Sequence, residues 1–449
     1  MEFKISKELI LELEQHIVNK NDKELEFLLN DMHHADIAEI LDELDFEEAT
    51  YIFKVLDSEK TAEILLELED DLRENILSRL SAKEIAEELD ELDTNDAADI
   101  IGELSQDLKA EVISELQDVE HAKDIVDLLR YDENSAGGLM GKELVKVNEN
   151  WNVLTCVKEM RIQAENVSRV HSIYVVDDEN RLKGRLSLKD LLTTSTKTHI
   201  SDVYIRKLNW VKVDDKDVEV ARIMQKYDLE AVPVVDELGR LVGRITIDDI
   251  VDVIKEEAEK DYQLAAGITQ DVETNDSILE LTKARLPWLL IGMVIEIIAS
   301  FVLKGNEDAF QRYSTLIIFV PLLSASAGNI GVQASAIVVQ GLANGSLKEF
   351  SRVYFSKEIA VAMISGSIIS LLLLAYHSIM YQQYLVGLAI SISMIVVILF
   401  AATLGTLVPL FLNKNKIDPA IATGPFITTA NDIFGIIIYF AVARMILGF

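Results

Sequence analysis

The chain has 449 residues, enough for several domains, and its 76 acidic against 42 basic residues give a formal net charge of −34. This balance argues against nucleic acid as a partner and favours a surface that attracts cations, although solubility alone explains it equally well. A single cysteine excludes a disulfide framework within the chain and fits a reducing compartment. The N-terminus shows no apolar run typical of a cleaved signal peptide, so we expect the soluble part to stay cytoplasmic.

Residues 1–135 contain an acidic repeat. Similar seven-residue segments begin at Ala38, Ala62, Ala86 and Ala98, each an alanine followed by an acid and closed by Glu-Leu. Apolar residues recur at steps of three and four, which indicates short amphipathic helices. The pattern predicts a stack of short helices, a small superhelical α-helical domain (N domain). Most of its acids are then expected on solvated outer faces.

A second repeat is sharper. Residues 175–190 align with residues 234–249, and eight positions are identical. Each copy is typical of a strand, a polar turn, a second strand and a helix, which predicts an α/β module. In each copy a Ser or Thr suited to cap the helix precedes an aspartate by three residues, Asp190 in the first copy and Asp249 in the second.

This repeat resembles a tandem pair of cystathionine-β-synthase (CBS) domains, which we assign to residues 136–198 and 199–255. The resemblance implies a regulatory module that binds an adenosine nucleotide such as ATP. Asp190 and Asp249 match the helix-start aspartate that holds the ribose, and simple helix capping is the alternative role for both. The sequence shows no nucleophile–base pairing and no His/Cys cluster, so we do not expect an enzyme.

Residues 285–449 are mostly apolar and predict an all-α transmembrane domain of five helices. The uncharged run 359–413 is too long for one span, so it is expected to fold back at residues 381–384, where two tyrosines suit a membrane interface. The other predicted spans are residues 286–303, 313–347 and 419–446.

Five spans put the two termini on opposite sides of the membrane. With the N-terminus inside, the basic residues in the loops expected on the outside are Lys304 and Arg312. More basic residues fall in the inside loops, which supports this orientation. The sequence therefore predicts a multi-pass plasma (inner) membrane protein with a cytoplasmic N-terminal half and an extracytoplasmic C-terminus. The inside loops hold Lys283, Arg285, Lys348, Arg352, Lys357, Lys414 and Lys416.

Asp432 lies near the middle of an uncharged run, residues 419–443. A carboxylate at that depth costs at least ~2.5–3.5 kcal/mol, so a protein that keeps it is expected to use it, here to hold a cation in transit. Two of the spans also carry polar residues that are expected to line the pathway, with helix–helix packing as the alternative for the asparagines and glutamine. The expected pore-lining residues are Gly328, Asn329, Gln333, Thr429 and Asn431.

The order of these parts resembles, from end to end, the MgtE family of magnesium channels. The matching motifs are Ala136-Gly-Gly-Leu-Met140, Gly328-Asn-Ile-Gly-Val-Gln333, Asp418-Pro419, and Gly424-Pro425 with Asp432. The resemblance implies a homodimeric Mg²⁺ channel in which Asp432 of each subunit binds hydrated Mg²⁺. Thr428, one turn earlier, is implied to offer a backbone carbonyl. Few carboxylates and many waters suit Mg²⁺, which dehydrates reluctantly.

The resemblance also implies that cytosolic Mg²⁺ closes the channel by bridging acids of the N domain, the CBS pair and an acidic linking helix, residues 256–284. Lys260 departs from the family pattern at a position where an acid is expected, and Glu296 in the first span matches no family role. The implied regulatory ligands are Asp228, Asp249, Asp252, Glu257 and Asp261 on one side, and Asp93, Asp96 and Asp99, near Gly138, on the other.

Two other functions fit the same sequence. One is a carrier of another divalent cation, such as Co²⁺ or Mn²⁺, coupled to protons through Glu296 and Asp432. The other is a membrane-anchored nucleotide sensor without transport. In every case the expected partners include the lipid bilayer and exclude nucleic acid.

Overall fold

The computed structural model describes residues 5–167, 169–270, 272, 276–347, 351–422 and 424–449. The chain divides into two compact units, Met1–Ile254 and Lys255–Phe449. The first unit contains a helical domain and two small β-sheets, and the second contains long apolar helices. The predicted fold class, a helical N domain, an α/β CBS pair and an all-α membrane domain, is confirmed.

The described part of the N domain consists of ten short helices stacked in alternation. Helix α3 packs against α5, α5 against α7, and α7 against α9. Ala38, Ala62 and Ala86 lie on α3, α5 and α7 and are fully or almost fully buried, so the repeat marks the positions where neighbouring helices approach closely. The predicted solenoid is confirmed. The helices are α1 Lys7–Val18, α2 Asp22–Asn30, α3 His34–Asp42, α4 Phe46–Val55, α5 Ser58–Glu67, α6 Asp70–Ser78, α7 Ala82–Leu89, α8 Thr94–Glu103, α9 Gln106–Glu115 and α10 Val119–Leu128.

Side-chain caps fix where several of these helices begin. Asp45 and Ser81 each accept a hydrogen bond from the N–H of the third helical residue, and the glutamate at that position accepts one from the cap's own N–H. These reciprocal bonds satisfy N–H groups that have no partner inside the helix. In α7 the glutamate is Glu84, whose carboxylate accepts from the Ser81 N–H at 2.7 Å.

Each CBS repeat forms a three-stranded sheet of the same topology. The first strand is parallel to the second and the second is antiparallel to the third, in the orders β1-β2-β3 and β4-β5-β6. The predicted strand–turn–strand–helix order is confirmed in both copies. The elements are α11 Ala136–Leu139, β1 Val145–Asn148, α12 Val153–Gln163, β2 Ile173–Val176, β3 Leu182–Leu186, α13 Leu188–Thr193, β4 Val211–Lys212, α14 Asp217–Tyr227, β5 Ala231–Val235, β6 Leu241–Thr246 and α15 Ile247–Ala266.

The turns that follow β2 and β5 join the two repeats. Leu182 N–H donates to the Gly239 carbonyl, and Leu241 N–H donates to the Asn180 carbonyl, so the contact is reciprocal. Asn180 and Gly239 occupy equivalent turn positions and both have a positive φ, 62° and 76°, which asparagine and glycine tolerate best. The duplicated sequence therefore builds a pseudo-symmetric pair.

Among the described residues, five helices are long and apolar enough to cross a membrane, as predicted: Ile278–Lys304, Thr315–Ala343, Arg352–Met380, Tyr384–Lys414 and Gly424–Leu447. Helix α20 ends at Met380 and α21 begins at Tyr384, so the chain folds back at the expected place. The membrane unit comprises α16 Ile278–Lys304, α17 Glu307–Arg312, α18 Thr315–Ile318, α19 Val320–Ala343, α20 Arg352–Met380, α21 Tyr384–Lys414 and α22 Gly424–Leu447.

Helix α21 is the centre of this unit and packs against α19, α20 and α22. Small residues allow the close crossings. A Cβ atom on Gly405 of α21 would lie 2.3 Å from the carbonyl oxygen of Gly331 on α19, so the two backbones touch at this point. Helix α16 differs, because only Ala284 and Ala299 of its residues are buried within the chain.

Candidate functional site

The carboxyl group of Asp432 lies where three membrane helices meet. Asp432 is on α22, is half-buried, and its carboxyl group interacts with the side chains of Ser324 on α19 and Glu296 on α16. Two carboxyl groups therefore share one place at membrane depth, with a serine hydroxyl as the neighbouring donor. Oxygen groups of this kind suit a hard cation such as Mg²⁺.

The two threonines beside Asp432 use their hydroxyl groups within α22. Thr428 donates to the Gly424 carbonyl at 3.0 Å, and Thr429 donates to the Pro425 carbonyl at 2.7 Å. The Thr428 methyl group faces α19, since a Cβ on Gly328 would lie 3.2 Å from it. Gly328 therefore lies at the contact between α19 and α22.

The polar residues expected to line the pathway fall into two groups. Asn329 and Gln333 on α19 are exposed in the single chain. Asn431 on α22 is 1% exposed, and its Nδ2 donates to the Ala327 carbonyl at 3.3 Å. Its Oδ1 is buried and has no partner among the described residues. The structure thus places Asn431 between α19 and α22, and Asn329 and Gln333 on an open face.

In the first unit, the N domain and the second CBS repeat bring acids together. Asn95 Nδ2 donates to Asp96 Oδ1 and to Asp249 Oδ1, both at 2.9 Å. Burial, with repulsion from Asp249, Asp93, Asp99 and Glu143, raises the pKa of Asp96 to about 8. A cation placed among these carboxylates would relieve the repulsion.

Asp249 is held by its own repeat as well. Its Oδ2 accepts from the Thr246 N–H at 2.8 Å and from the Thr246 hydroxyl at 2.6 Å, which is the capping role considered above. Burial still raises the pKa of Asp249 to about 6 despite these bonds. Asp93 lies 3.9 Å from buried Arg244, which partly offsets the rise that burial causes in the pKa of Asp93.

The other predicted ligands of this unit lie on four different helices or at their ends. Asp99 is exposed on α8, one turn after Asp96. Gly138 lies in α11, where a Cβ atom would come within 2.5 Å of the Asp132 carbonyl oxygen, so close backbone packing requires glycine there. Asp228 and Asp252 are exposed, Asp228 at the end of α14 with a φ of 49° and Asp252 on α15.

In the second unit, the end of α15 carries the remaining predicted ligands. Burial and then repulsion from Asp418 and Glu257 raise the pKa of Asp261 to about 6, while Lys260 lowers it. Asp418 was noted in the sequence only as part of a motif and was not predicted as a ligand. Its position directly before the last span, beside Pro419, is the signal that was available.

No group of three or more His, Cys, Asp or Glu side chains in the described ranges is arranged to hold a metal ion. The candidate sites in this part of the chain are therefore small, with few carboxylates each. Such sites suit a hydrated ion, because waters fill most of the coordination of Mg²⁺.

The two helix-start aspartates of the CBS pair have different surroundings. Asp190 lines an open cleft of about 480 Å³ together with His171, Arg185, Ser187 and Lys189. Asp249, in contrast, is occupied by Thr246 and Asn95. Only the first site presents its carboxylate to a cleft with basic side chains, which suits a ribose followed by phosphates.

The sequence matches three family models. The divalent cation transporter model of MgtE covers residues 320–442, the MgtE intracellular N domain covers residues 32–134, and the CBS domain covers residues 136–196 and 200–256.

Similar proteins are magnesium transporters. The chain is 33% identical to the magnesium transporter MgtE of Thermus thermophilus, over 99% of each chain. It is also 33% identical to the magnesium transporter MgtE of Enterococcus faecalis, over 74% of this chain and 73% of that one. A crystal structure of the cytosolic domain of the Mg²⁺ channel MgtE in complex with ATP is 33% identical, with a TM-score of 0.51, and covers 54% of this chain and 99% of that chain.

Proposed function

Because the chain belongs to the MgtE family of magnesium transporters, we propose that it is a Mg²⁺-selective channel whose ions pass Asp432 and which cytosolic Mg²⁺ closes. The observation that carries the proposal is the position of Asp432, half-buried at membrane depth where three helices converge. A charge at that depth is costly unless a partner or an ion uses it.

Asp432→Asn tests the pore assignment. Removing the charge without changing the shape is expected to abolish Mg²⁺ uptake by magnesium-starved cells, because the hydrated ion loses its carboxylate. Asp308→Asn is the matched control, since Asp308 is exposed on the short helix α17. Normal uptake by the Asp432 variant would show that the pore lies elsewhere.

Single-channel recording separates a channel from the carrier alternative. A channel gives discrete currents that no carrier cycle can reach, and Mg²⁺ should carry them in preference to Co²⁺ or Mn²⁺. Slow flux without discrete openings would favour the carrier. Absence of any Mg²⁺ flux would instead favour the nucleotide sensor.

We propose a homodimer on the evidence of surfaces left open in the single chain. Leu188 and Leu192 on α13 and Ile247 and Val251 on α15 are exposed, and exposed apolar surface grouped on two helices is typical of a protein–protein interface. A second copy is the occupant that also completes the pathway, because Asn329 and Gln333 face outward in one chain. Light scattering of the detergent-solubilised protein should give twice the 50.3 kDa chain mass, and the single-chain mass would overturn the dimer.

Gating is proposed to rest on the cytosolic acids. In the cluster around Asp96 and Asp249, repulsion opposes the packed arrangement, and a bound divalent cation would favour it. The same reasoning applies to Asp261 with Asp418 and Glu257. Internal Mg²⁺ therefore shifts the population towards a packed, closed state, and flux measured with and without internal Mg²⁺ tests this directly.

An adenosine nucleotide is the proposed ligand of the Asp190 cleft. The support is the set of basic side chains around Asp190 and the ATP complex of the similar cytosolic domain. The module would then respond to nucleotide as well as to Mg²⁺.

The excess of basic residues in the loops expected inside supports the proposed orientation in the plasma membrane. The N-terminal half is then in the cytoplasm and the C-terminus is outside. One of these basic residues, Lys348, lies outside the described residues.

A further inference from the structure

Glu296 is the one acid inside an otherwise apolar first span. It lies on α16, about 16 Å along the helix axis from Arg285 and about 12 Å from Lys304, so no cation of its own helix is near it. The same insertion cost that applies to Asp432 applies here. Packing within the chain does not explain its retention, because Glu296 is exposed in the single chain.

The structure brings Glu296 on α16 next to the Asp432 carboxyl group on α22, two helices that pack together. Ala299, one turn after Glu296 on α16, is almost completely buried, which fixes the helix face that meets α22. Ser324 also interacts with the Asp432 carboxyl group, and neither Ser324 nor Glu296 is a cation. Two residues 136 positions apart in sequence thus place their carboxyl groups together on different helices.

We propose that Glu296 is a second carboxylate of the ion site, binding the water shell of Mg²⁺ while Asp432 does the same from α22. This assignment rests on the proposed function, since it assumes that ions pass Asp432. Like charges brought together in a membrane are unfavourable unless a cation lies between them, and a hydrated divalent ion supplies that charge. In the proposed homodimer each subunit would contribute two carboxylates and one serine hydroxyl, oxygen groups that suit an Mg²⁺ ion that keeps most of its waters.

The test uses the full-length protein in liposomes with no internal Mg²⁺. The probes are Mg²⁺ itself and hexaamminecobalt(III), whose ligands do not exchange and which therefore binds only through its outer shell. Glu296→Gln keeps the side-chain shape and removes one charge, so the half-saturating Mg²⁺ concentration and the half-blocking cobalt complex concentration should both rise about tenfold. Glu358→Gln on α20 is the matched control, because it removes a half-buried acid of another span.

Wild-type saturation and block in Glu296→Gln would overturn the assignment while leaving the pore at Asp432 intact. Normal transport by Asp432→Asn would overturn the proposed function instead, so the two failures are distinguishable. If Glu296→Gln does not fold, a second variant still tests the proposal. In Glu296→Cys, a thiosulfonate reagent bearing a sulfonate should restore transport and one bearing an ammonium should stop it. The chain's other cysteine, Cys156, is buried. A cysteine at position 296 that stays unmodified in folded protein, or equal effects of the two reagents, would overturn the proposal.

Discussion

The protein brings carboxylates together in two settings, among the membrane helices and in the first unit, and surrounds them differently. Among the membrane helices, Asp432 lies near Glu296 and has the Ser324 hydroxyl as a neighbouring donor. In the first unit, Asp96 and Asp249 share the amide of Asn95, and Asp249 also accepts two bonds from Thr246. Fixed donors in this unit therefore replace part of the stabilisation that a cation would give. For Asp432 the donor seen among the described residues is a single hydroxyl, so we expect Asp432 and Glu296 to depend more on a bound ion.

This difference predicts opposite signs for the same chemical change. Neutralising an acid of the membrane pair should reduce flux, whereas neutralising cytosolic acids should keep the channel open when internal Mg²⁺ is high. The largest effect is expected when Asp249, Asp252, Glu257 and Asp261 are all changed to their amides. The internal Mg²⁺ concentration that halves the flux should rise about 100-fold, since bridging ions lose their ligands.

Four exposed acids of the first helices provide the control for total charge. Changing them to glutamine lowers the negative charge by the same amount without touching the proposed ligands, and inhibition by Mg²⁺ should then stay normal. If Mg²⁺ still inhibits the variant that lacks the four proposed ligand acids as strongly as it inhibits the wild type, the linking-helix model of gating is wrong. The control residues are Glu12, Glu24, Glu26 and Glu59.

The CBS pair offers the same comparison at a smaller scale. Asp190 faces an open cleft and Asp249 is engaged by protein donors. Asp190→Ala should weaken ATP binding about tenfold, the effect of losing charge-assisted hydrogen bonds to the ribose. Asp249→Ala should change ATP affinity less than twofold. Titration calorimetry on the full-length protein in detergent measures both, and equal losses would show that both repeats bind nucleotide.

Most of the fold could be predicted from the hydrophobic periodicity and the internal repeats of the sequence. The alanine repeat, the offset of the CBS copies and the apolar runs each predicted elements that the structure confirms, because each pattern reflects which face of an element is buried. The residue that lies next to Asp432, in contrast, could not be predicted. Spans that are apolar on all sides carry no signal for their rotation, so the meeting of Glu296 and Asp432 depends on packing that the sequence does not reveal.

The acids around Asp96 and Asp249 also show that contacts between distant segments cannot be predicted from local sequence. Asp249 could be predicted as a helix-start acid, since Thr246 precedes it by three residues. The Asn95 amide that joins it to Asp96 comes from another domain, 154 residues away, and local sequence contains no trace of it. Asp418 near Asp261 was missed for the same reason.

The smallest predicted effect isolates burial from any bound ion and uses two glutamates one turn apart on α7. Burial, with repulsion from Glu87, Asp57 and Glu91, raises the pKa of Glu88 to about 7, even though it accepts a hydrogen bond from Thr61. An acid with a raised folded-state pKa destabilises the fold once it ionises, so this part of the stability should fall as pH rises from about 4.5 to about 7. Glu88→Gln removes the penalty and should stabilise α7 by about 1–3 kcal/mol at pH 8, with little change near pH 4.

Glu84 on the same helix should behave in the opposite way. Its bonds from the Ser81 N–H and hydroxyl hold the pKa of Glu84 below its usual value. Its contribution to stability is therefore present above about pH 4.5 and is lost as pH falls. Hydrogen exchange of the α7 amides at pH 5 and pH 8, corrected for the intrinsic rate, should show more protection at pH 8 in Glu88→Gln and less in Glu84→Gln. Equal behaviour of the two variants would mean that burial and hydrogen bonding do not set the pKa values of these acids. The proposed difference between carboxylates stabilised by fixed donors and carboxylates stabilised by a bound cation would then not hold in the first unit.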